Sequence, residues 1–165
     1  MTDIRLATID DLPAIFEILN HEIASGVNTF KLERVDEAGQ TQWWSQHSAD
    51  KYPVLLACDG ADVLGWASLS PWSTTNLGYY LTAEVSVWIA PENQGRGLGK
   101  LLYEALIERA REIGLRVLLS KIEASNEASI QLHRRFGFVD IGVMHRVGRK
   151  FDRELDVLIM ELQLE

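Results

Sequence analysis

Hydrophobic positions recur every three or four residues in some segments and every second residue in others, which predicts both helices and strands. Helical spacing predicts four helices. The first follows Thr8–Asp11, the second follows Asp36, the third spans about Gly97–Glu112, and the fourth runs from Asn126 to Gly137. Alternation or short apolar runs predict seven strands, near Ile4–Leu6, Pro53–Cys58, Val63–Leu69, Thr82–Ile89, Val117–Ile122, Phe138–Met144 and Leu155–Leu162. The mixed-charge run 146–153 is expected to be a solvated hairpin. No repeat or linker interrupts this order, so we expect one α+β domain over residues 1–165.

Composition narrows the class of partner. The 165 residues carry a net charge of -8, and an acidic chain disfavours nucleic-acid binding, which depends on basic residues. The sequence shows neither a signal-peptide pattern nor about 18 consecutive apolar residues, so we expect a cytoplasmic protein without a membrane span. Cys58 is the only cysteine, and His21, His47 and His145 lack metal-ligand spacing, so neither a disulfide nor a metal site is expected.

A glycine-rich turn, Gln94–Gly99, lies between a predicted strand and a predicted helix, with Gly95, Gly97 and Gly99 at every second position. Glycines permit positive φ angles and let N–H groups converge, while the start of a helix adds free donors and a positive dipole end. Such a turn binds phosphate or diphosphate, and Arg96 adds a positive charge. The alternative is a tight turn without a ligand. Walker A spacing is absent, and the turn comes too late in the chain for a Rossmann fingerprint.

Two separated segments resemble motifs of the GNAT acetyltransferase superfamily. Gln94–Gly99 is similar to its diphosphate loop, Q/R-x-x-G-x-G/A, and Asn126–Ser129 with Phe136–Phe138 is similar to its N-x-x-S/A … GF segment. The order of predicted elements resembles that fold over nearly the whole chain. The resemblance implies a three-layer α/β domain with a mixed, mostly antiparallel sheet of about seven strands and about four helices. It also implies acetyl-CoA as co-substrate.

Shorter matches resemble a narrower family, the phosphinothricin and methionine sulfone (or sulfoximine) N-acetyltransferases. They are Thr82–Val87, Ser129–His133 and Val147–Phe151, together with Trp43, Tyr52-Pro53, Gly65–Ala67 and Thr29-Phe30. That family acetylates the α-amino group of small amino-acid analogues and is often dimeric. The resemblance therefore implies a small-molecule amine as acceptor and a homodimer as the assembly.

Glu84 and His133 are the candidates for the proton chemistry of acetyl transfer. Glu84 is a carboxylate in a strand of apolar and hydroxyl residues, where partial desolvation would make it a better base. The alternative is that Glu84 is an ordinary charged residue on the solvent-facing side of an edge strand. The resemblance favours its role as the base. His133 faces the packed side of a short helix, where a lone histidine is usually structural, whereas the resemblance implies an acid or base there. Which of the two accepts the amine proton stays open.

The resemblance also assigns binding residues. Those expected to contact the cofactor are Val87, Trp88, Ile89, Gly95, Arg96, Gly97, Leu98, Gly99, Lys100 and Asn126. Those expected to contact the acceptor are Trp72, Ser73, Thr74, Glu84, Val85 and Ser86. The strand over 85–89 is expected to splay from its neighbour and offer N–H groups to the thioester. Asn126 caps a helix, binds the pantetheine arm, or does both.

The chain departs from the narrower family at three positions. Ser73 follows Trp72 where an arginine is usual, Tyr80 stands where a basic residue is common, and Glu154 stands where a tryptophan is common. Since an arginine fork is the natural partner of a carboxylate or phosphinate, we expect an acceptor that is less anionic than the family norm. Two other functions stay open: N-terminal acetylation of peptides or proteins, and acyl-CoA binding without catalysis.

Overall fold

The structure, a computed structural model, describes residues 2–165 and contains seven strands and four α-helices, as predicted. The strands are β1 (Asp3–Leu6), β2 (Val54–Asp59), β3 (Asp62–Pro71), β4 (Thr82–Ile89), β5 (Val117–Glu123), β6 (Val139–Lys150) and β7 (Arg153–Gln163). The helices are α1 (Leu12–Ser25), α2 (Glu37–Trp44), α3 (Leu98–Ile113) and α4 (Glu127–Arg135). Within residues 2–165, no helix combines the length and apolar character needed to cross a membrane.

The strands form one sheet in the order β1-β2-β3-β4-β5-β7-β6, and every neighbouring pair is antiparallel except β4 and β5. This mixed, mostly antiparallel sheet confirms the expected fold class. The parallel pairing is short and ends at Glu84 opposite Leu119. Beyond it, β4 continues to Ile89 along β3, and β5 continues to Glu123 along β7. A gap therefore opens between the two central strands, as the resemblance implied.

Both faces of β2 and β3 are buried, which explains why these two strands contain nearly continuous apolar runs. Alternate residues of β2 enter two clusters: Leu55 packs with the α3 side chains, and Leu56 packs with the α1 side chains. Trp66 lies in the α1 cluster, where its Nε1 donates to the carbonyl oxygen of Ile15 at 3.0 Å. The sheet is thus the middle layer between α1 and α3.

Helix ends follow the predicted signals. Gly97 precedes α3 at φ 80°, and Gly114 ends it at φ 87°. Both angles are in the left-handed region that favours glycine. Asp36 Oδ1 accepts from the Gly39 N–H at 2.9 Å and so caps α2.

The last hairpin differs from the prediction, because β6 continues to Lys150 instead of ending near Met144. The register against β7 is irregular between Met144 and Gly148, and Arg146 has a φ of 52°. Such a bulge interrupts the two-residue alternation by which a strand is recognised. The sequence pattern therefore ended the strand six residues early.

Candidate active site

A cavity of about 1120 Å³ opens at the gap between β4 and β5. Its walls are β4 and β5, the N-terminal ends of α3 and α4, the end of α1, and the segment 28–31. Pockets for one drug-sized ligand usually span about 300–1,000 Å³. The cavity therefore has room for a long ligand together with a second small molecule.

The gap presents backbone N–H groups of β4. The Ala90 N–H donates to the carbonyl oxygen of Leu64 at 3.0 Å, and hydrogen-bonded pairs alternate along an antiparallel ladder. The N–H groups of Val87 and Ile89 consequently point away from β3, into the gap beyond the last β4–β5 pair. Because backbone N–H groups need partners, these two donors are available to a ligand in the gap.

The glycine turn borders the same cavity. Gly95 and Gly97 have φ angles of 75° and 80°, and a Cβ built at either position would meet nothing within 4 Å. Gly97 immediately precedes α3, so the free N–H groups of the first helical turn lie next to this open space. Open backbone at a helix N-terminus is the arrangement that binds a diphosphate.

The structure brings most, but not all, predicted cofactor residues to the cavity. Those that line it are Val87, Trp88, Ile89, Gly95, Gly97, Gly99, Lys100 and Asn126. Arg96 and Leu98 do not. The Arg96 guanidinium donates to Asn93 Oδ1 at 2.5 Å instead of extending freely, and Leu98 is buried in the cluster around α3. The side chains of both therefore face away from the site, although their backbones belong to the turn.

Asn126 uses both ends of its amide. Its Oδ1 accepts from the Ser129 N–H at 3.2 Å, which confirms the predicted cap of α4. Its Nδ2 donates to Asn28 Oδ1 at 2.9 Å, on the segment that faces α4 across the cavity. Asn126 thus joins two walls of the site.

Lys150 and Phe30 fix the segment 28–31 against β6. Lys150 is 4% exposed, and its Nζ donates to the carbonyl oxygen of Thr29 at 3.0 Å. Burial lowers the pKa of Lys150. The Phe30 ring packs on Gly148, where a Cβ would lie 2.2 Å from it. The prediction that 146–153 is a solvated hairpin is therefore wrong for Lys150, which supports the cavity wall.

Glu84 is part of an ion pair inside the cavity. Its Oε2 lies 2.9 Å from Nζ of Lys121, with the two side chains 25% and 44% exposed. The same Nζ lies 5.4 Å from the centre of the Trp72 ring. Sequence reasoning missed Lys121, although a charged residue inside the apolar run Val117–Ile122 was a signal for it.

His133 is buried and neutral. Its Nδ1 lies 2.7 Å from the carbonyl oxygen of Ser129, which only accepts, so Nδ1 carries the proton and Nε2 is an acceptor. The Tyr103 hydroxyl donates to that Nε2 at 2.5 Å. Burial lowers the pKa of His133 to about 4 and raises the pKa of Tyr103, so both side chains are uncharged at neutral pH. Tyr103 was missed because an aromatic residue at helical spacing is normally assigned to the core.

The predicted acceptor residues divide into two groups. Glu84, Val85 and Ser86 line the cavity, and Trp72, Ser73 and Thr74 do not. Ser73 Oγ accepts from the Asn76 N–H at 2.9 Å within its own loop, while Trp72 reaches the site through Lys121. Glu154 also lies outside the lining, opposite Arg149 in the last hairpin. Among residues 2–165, no three His, Cys, Asp or Glu side chains cluster as a metal site.

Known proteins share both the sequence pattern and the fold. The Acetyltransferase (GNAT) family matches residues 13–138. An L-methionine sulfoximine/L-methionine sulfone acetyltransferase of Pseudomonas aeruginosa is 42% identical over 163 residues, which are 98% of this chain and 94% of the relative. The structure of a GNAT superfamily phosphinothricin acetyltransferase from Sinorhizobium meliloti, in complex with acetyl-CoA, has a TM-score of 0.93 at 32% identity over 99% of this chain and 88% of that one.

A third similar protein has a different acceptor in its name. A ribosomal-protein-alanine N-acetyltransferase from Brucella melitensis has a TM-score of 0.93 at 40% identity, over 98% of this chain and 99% of that one. All three relatives extend over nearly the whole chain, including the glycine turn and both strands of the gap. The chain therefore belongs to the GNAT family of acetyltransferases.

Proposed function

We propose that this protein is an acetyl-CoA-dependent N-acetyltransferase whose acceptor is the amino group of a small amino acid or amino-acid analogue. The gap between β4 and β5 carries this proposal, because it connects the glycine turn to Glu84 past the N–H groups of Val87 and Ile89. Relatives named for methionine sulfone and phosphinothricin acetylation support the substrate class.

Acetyl-CoA supplies the activated acetyl thioester. The open N–H groups over 95–100 fit its diphosphate, with Arg96 and Leu98 contributing through their backbones. The N–H groups of Val87 and Ile89 are suited to stabilise the oxyanion of acyl transfer, beside the Trp88 side chain. Asn126 is assigned to the pantetheine arm while it caps α4.

Glu84 is the base in this proposal, because it lies on the cavity wall next to Val85 and Ser86, on the acceptor side. It takes one proton from the acceptor ammonium. The nitrogen then bonds to the acetyl carbon as the C–S bond breaks, and its second leaving proton goes to the sulfur. His133 has no proton on Nε2 to give, so its part is to hold the Tyr103 hydroxyl, which relays that second proton: the hydroxyl gives its own proton to the sulfur and accepts the one that leaves the nitrogen. The loop with Trp72, Ser73 and Thr74 is next to the acceptor side because Lys121 lies over the Trp72 ring.

Release of CoA thiol tests this function. Purified protein is incubated with acetyl-CoA and a panel of amino acids, their sulfone and sulfoximine analogues, polyamines and short peptides. We expect turnover on the amino acids and analogues. Turnover confined to peptides would instead support N-terminal acetylation, which the similarity to the Brucella melitensis protein favours as second candidate. A rise in melting temperature with acetyl-CoA, but no thiol release with any acceptor, would identify a silent acyl-CoA-binding module.

The assembly and cellular setting are also part of the proposal. β6 is an edge strand, and Val139, Ile141 and Val143 on it are 57%, 55% and 43% exposed. Long apolar edges are usually covered in native proteins, so we propose that β6 contributes to a homodimer. Light scattering should then give twice the chain mass. The net charge of -8 and the buried free thiol of Cys58 fit a cytoplasmic protein that binds neither nucleic acid nor membranes.

A further inference from the structure

Lys121 stands next to the proposed base at the mouth of the gap. It lies two residues beyond Leu119, the last residue of β5 that pairs with β4, so its side chain is on the same face as Glu84. Its Nζ is 2.9 Å from Glu84 Oε2 and 5.4 Å from the centre of the Trp72 ring. A single cation is thus held between two residues assigned to the acceptor side.

Other charged groups around the cavity are differently placed. Lys100 lies in the first turn of α3, and its Nζ pairs with Glu104 at 3.6 Å. The Glu123 carboxylate accepts from the backbone and hydroxyl of the nearby serine on its own turn. Lys31 lies on the segment 28–31 and Arg135 lies on α4. Neither of them forms the ion pair with Glu84. Lys121 is therefore the cation in direct contact with the base.

We propose that Lys121 binds the carboxylate of the acceptor and makes the enzyme select α-amino acids over amines that lack this group. This inference rests on the proposed acetyltransferase function. An α-amino acid carries an ammonium and a carboxylate on one carbon, and Glu84 and Lys121 present the opposite charges side by side. When the acceptor binds, its ammonium pairs with Glu84 and its carboxylate pairs with Lys121, so each protein charge exchanges one partner for another.

An amine without a carboxylate has a different effect on the pair. It draws Glu84 away from Lys121 and offers the lysine no new partner in return. Loss of one charge-assisted hydrogen bond corresponds to about 10- to 100-fold in affinity. Ser73 occupies the position of a usual arginine, and Lys121 supplies a cation from β5 instead. The acceptor is then as anionic as an ordinary amino acid, which differs from the expectation drawn from Ser73, Tyr80 and Glu154.

Steady-state kinetics with two acceptors test the role of Lys121. The acceptors are L-methionine sulfone and its decarboxylated amine, each with wild type, Lys121→Met, Lys121→Arg and the control Lys51→Met, which removes an exposed lysine outside the cavity lining. We expect wild type and Lys51→Met to favour the amino acid by at least about 10-fold in kcat/KM. Lys121→Met should lose that preference through a higher KM for the amino acid, with KM for acetyl-CoA unchanged, and Lys121→Arg should retain it. A preference that survives in Lys121→Met, or disappears in Lys51→Met, overturns the assignment.

A binding measurement separates this inference from the proposed catalysis. Calorimetric titration of L-methionine sulfone into protein saturated with CoA needs no acetyl transfer. If no acceptor is acetylated but Lys121→Met weakens this binding about 10-fold or more, the catalytic proposal is wrong and the assignment of Lys121 stands. If L-methionine sulfone fails to bind wild type, or binds Lys121→Met equally well, the assignment of Lys121 is wrong.

Discussion

Replacement of Gly97 by alanine tests the phosphate turn. Gly97 has a φ of 80°, and this left-handed conformation costs a non-glycine residue about 1–2 kcal/mol. A Cβ there meets no atom within 4 Å, so no clash adds to that strain. Domains have unfolding free energies of about 5–15 kcal/mol, and the variant should therefore fold. At about 2–4 °C per kcal/mol, its melting temperature should fall by about 2–8 °C.

The same methyl group should weaken cofactor binding. It enters the open space next to the first N–H groups of α3, where the diphosphate is expected. Loss of one charge-assisted hydrogen bond weakens binding by about 1.5–3 kcal/mol, which raises the Kd for CoA about 10- to 100-fold. Calorimetric titration with CoA measures this Kd directly.

Gly60→Ala is the matched control. Gly60 has a φ of 60° and also has no atom within 4 Å of a built Cβ, but it lies in the turn between β2 and β3, outside the cavity lining. It should lose similar stability and bind CoA like wild type. Equal Kd values for Gly97→Ala and Gly60→Ala would show that the turn does not hold the diphosphate.

Three further predictions concern the proton chemistry. Glu84→Gln should lower kcat about 10²-fold or more with an unchanged Kd for acetyl-CoA, and wild-type turnover would remove Glu84 from the mechanism. Burial lowers the pKa of His133 from 6.5 to about 4, so the unfolded chain binds the proton more readily. Between pH 6.5 and 4, urea titrations should show wild type losing up to about 3 kcal/mol of unfolding free energy, and His133→Gln losing less; equal losses would contradict the buried neutral ring. Tyr103→Phe leaves His133 Nε2 without its donor and should lower the unfolding free energy by about 1–3 kcal/mol, whereas an unchanged melting temperature would mean that this bond contributes nothing.

Most of the fold could be predicted from the sequence because burial and helix ends leave local patterns in the chain. Apolar residues on both faces of β2 produced a continuous run, and Gly97 and Gly114 marked the ends of α3 through their left-handed conformations. The exception was β6 beyond Met144. Its bulge depends on how β6 and β7 pair, and one strand's alternation does not encode that pairing.

The site was predictable only where one segment carries it. The glycine turn and the cap at Asn126 are local, so the motif and the structure agree. The Glu84–Lys121 pair joins two strands, and its contact depends on the register between them. The Tyr103–His133 pair likewise joins α3 and α4 across the core. When the contacts between elements are unknown, Lys121 is interpreted as an ordinary strand residue and Tyr103 as an ordinary core residue.

Mass spectrometry of the reaction products tests acetyl transfer to an amino acid most directly. Wild-type protein is incubated with acetyl-CoA and L-methionine sulfone, and the amino acid and the CoA thiol are quantified together. We predict that the amino acid gains one acetyl group on its α-nitrogen, with one CoA thiol released for each product molecule. Thiol release without an acetylated amino acid, or no product at saturating acetyl-CoA, would contradict this function.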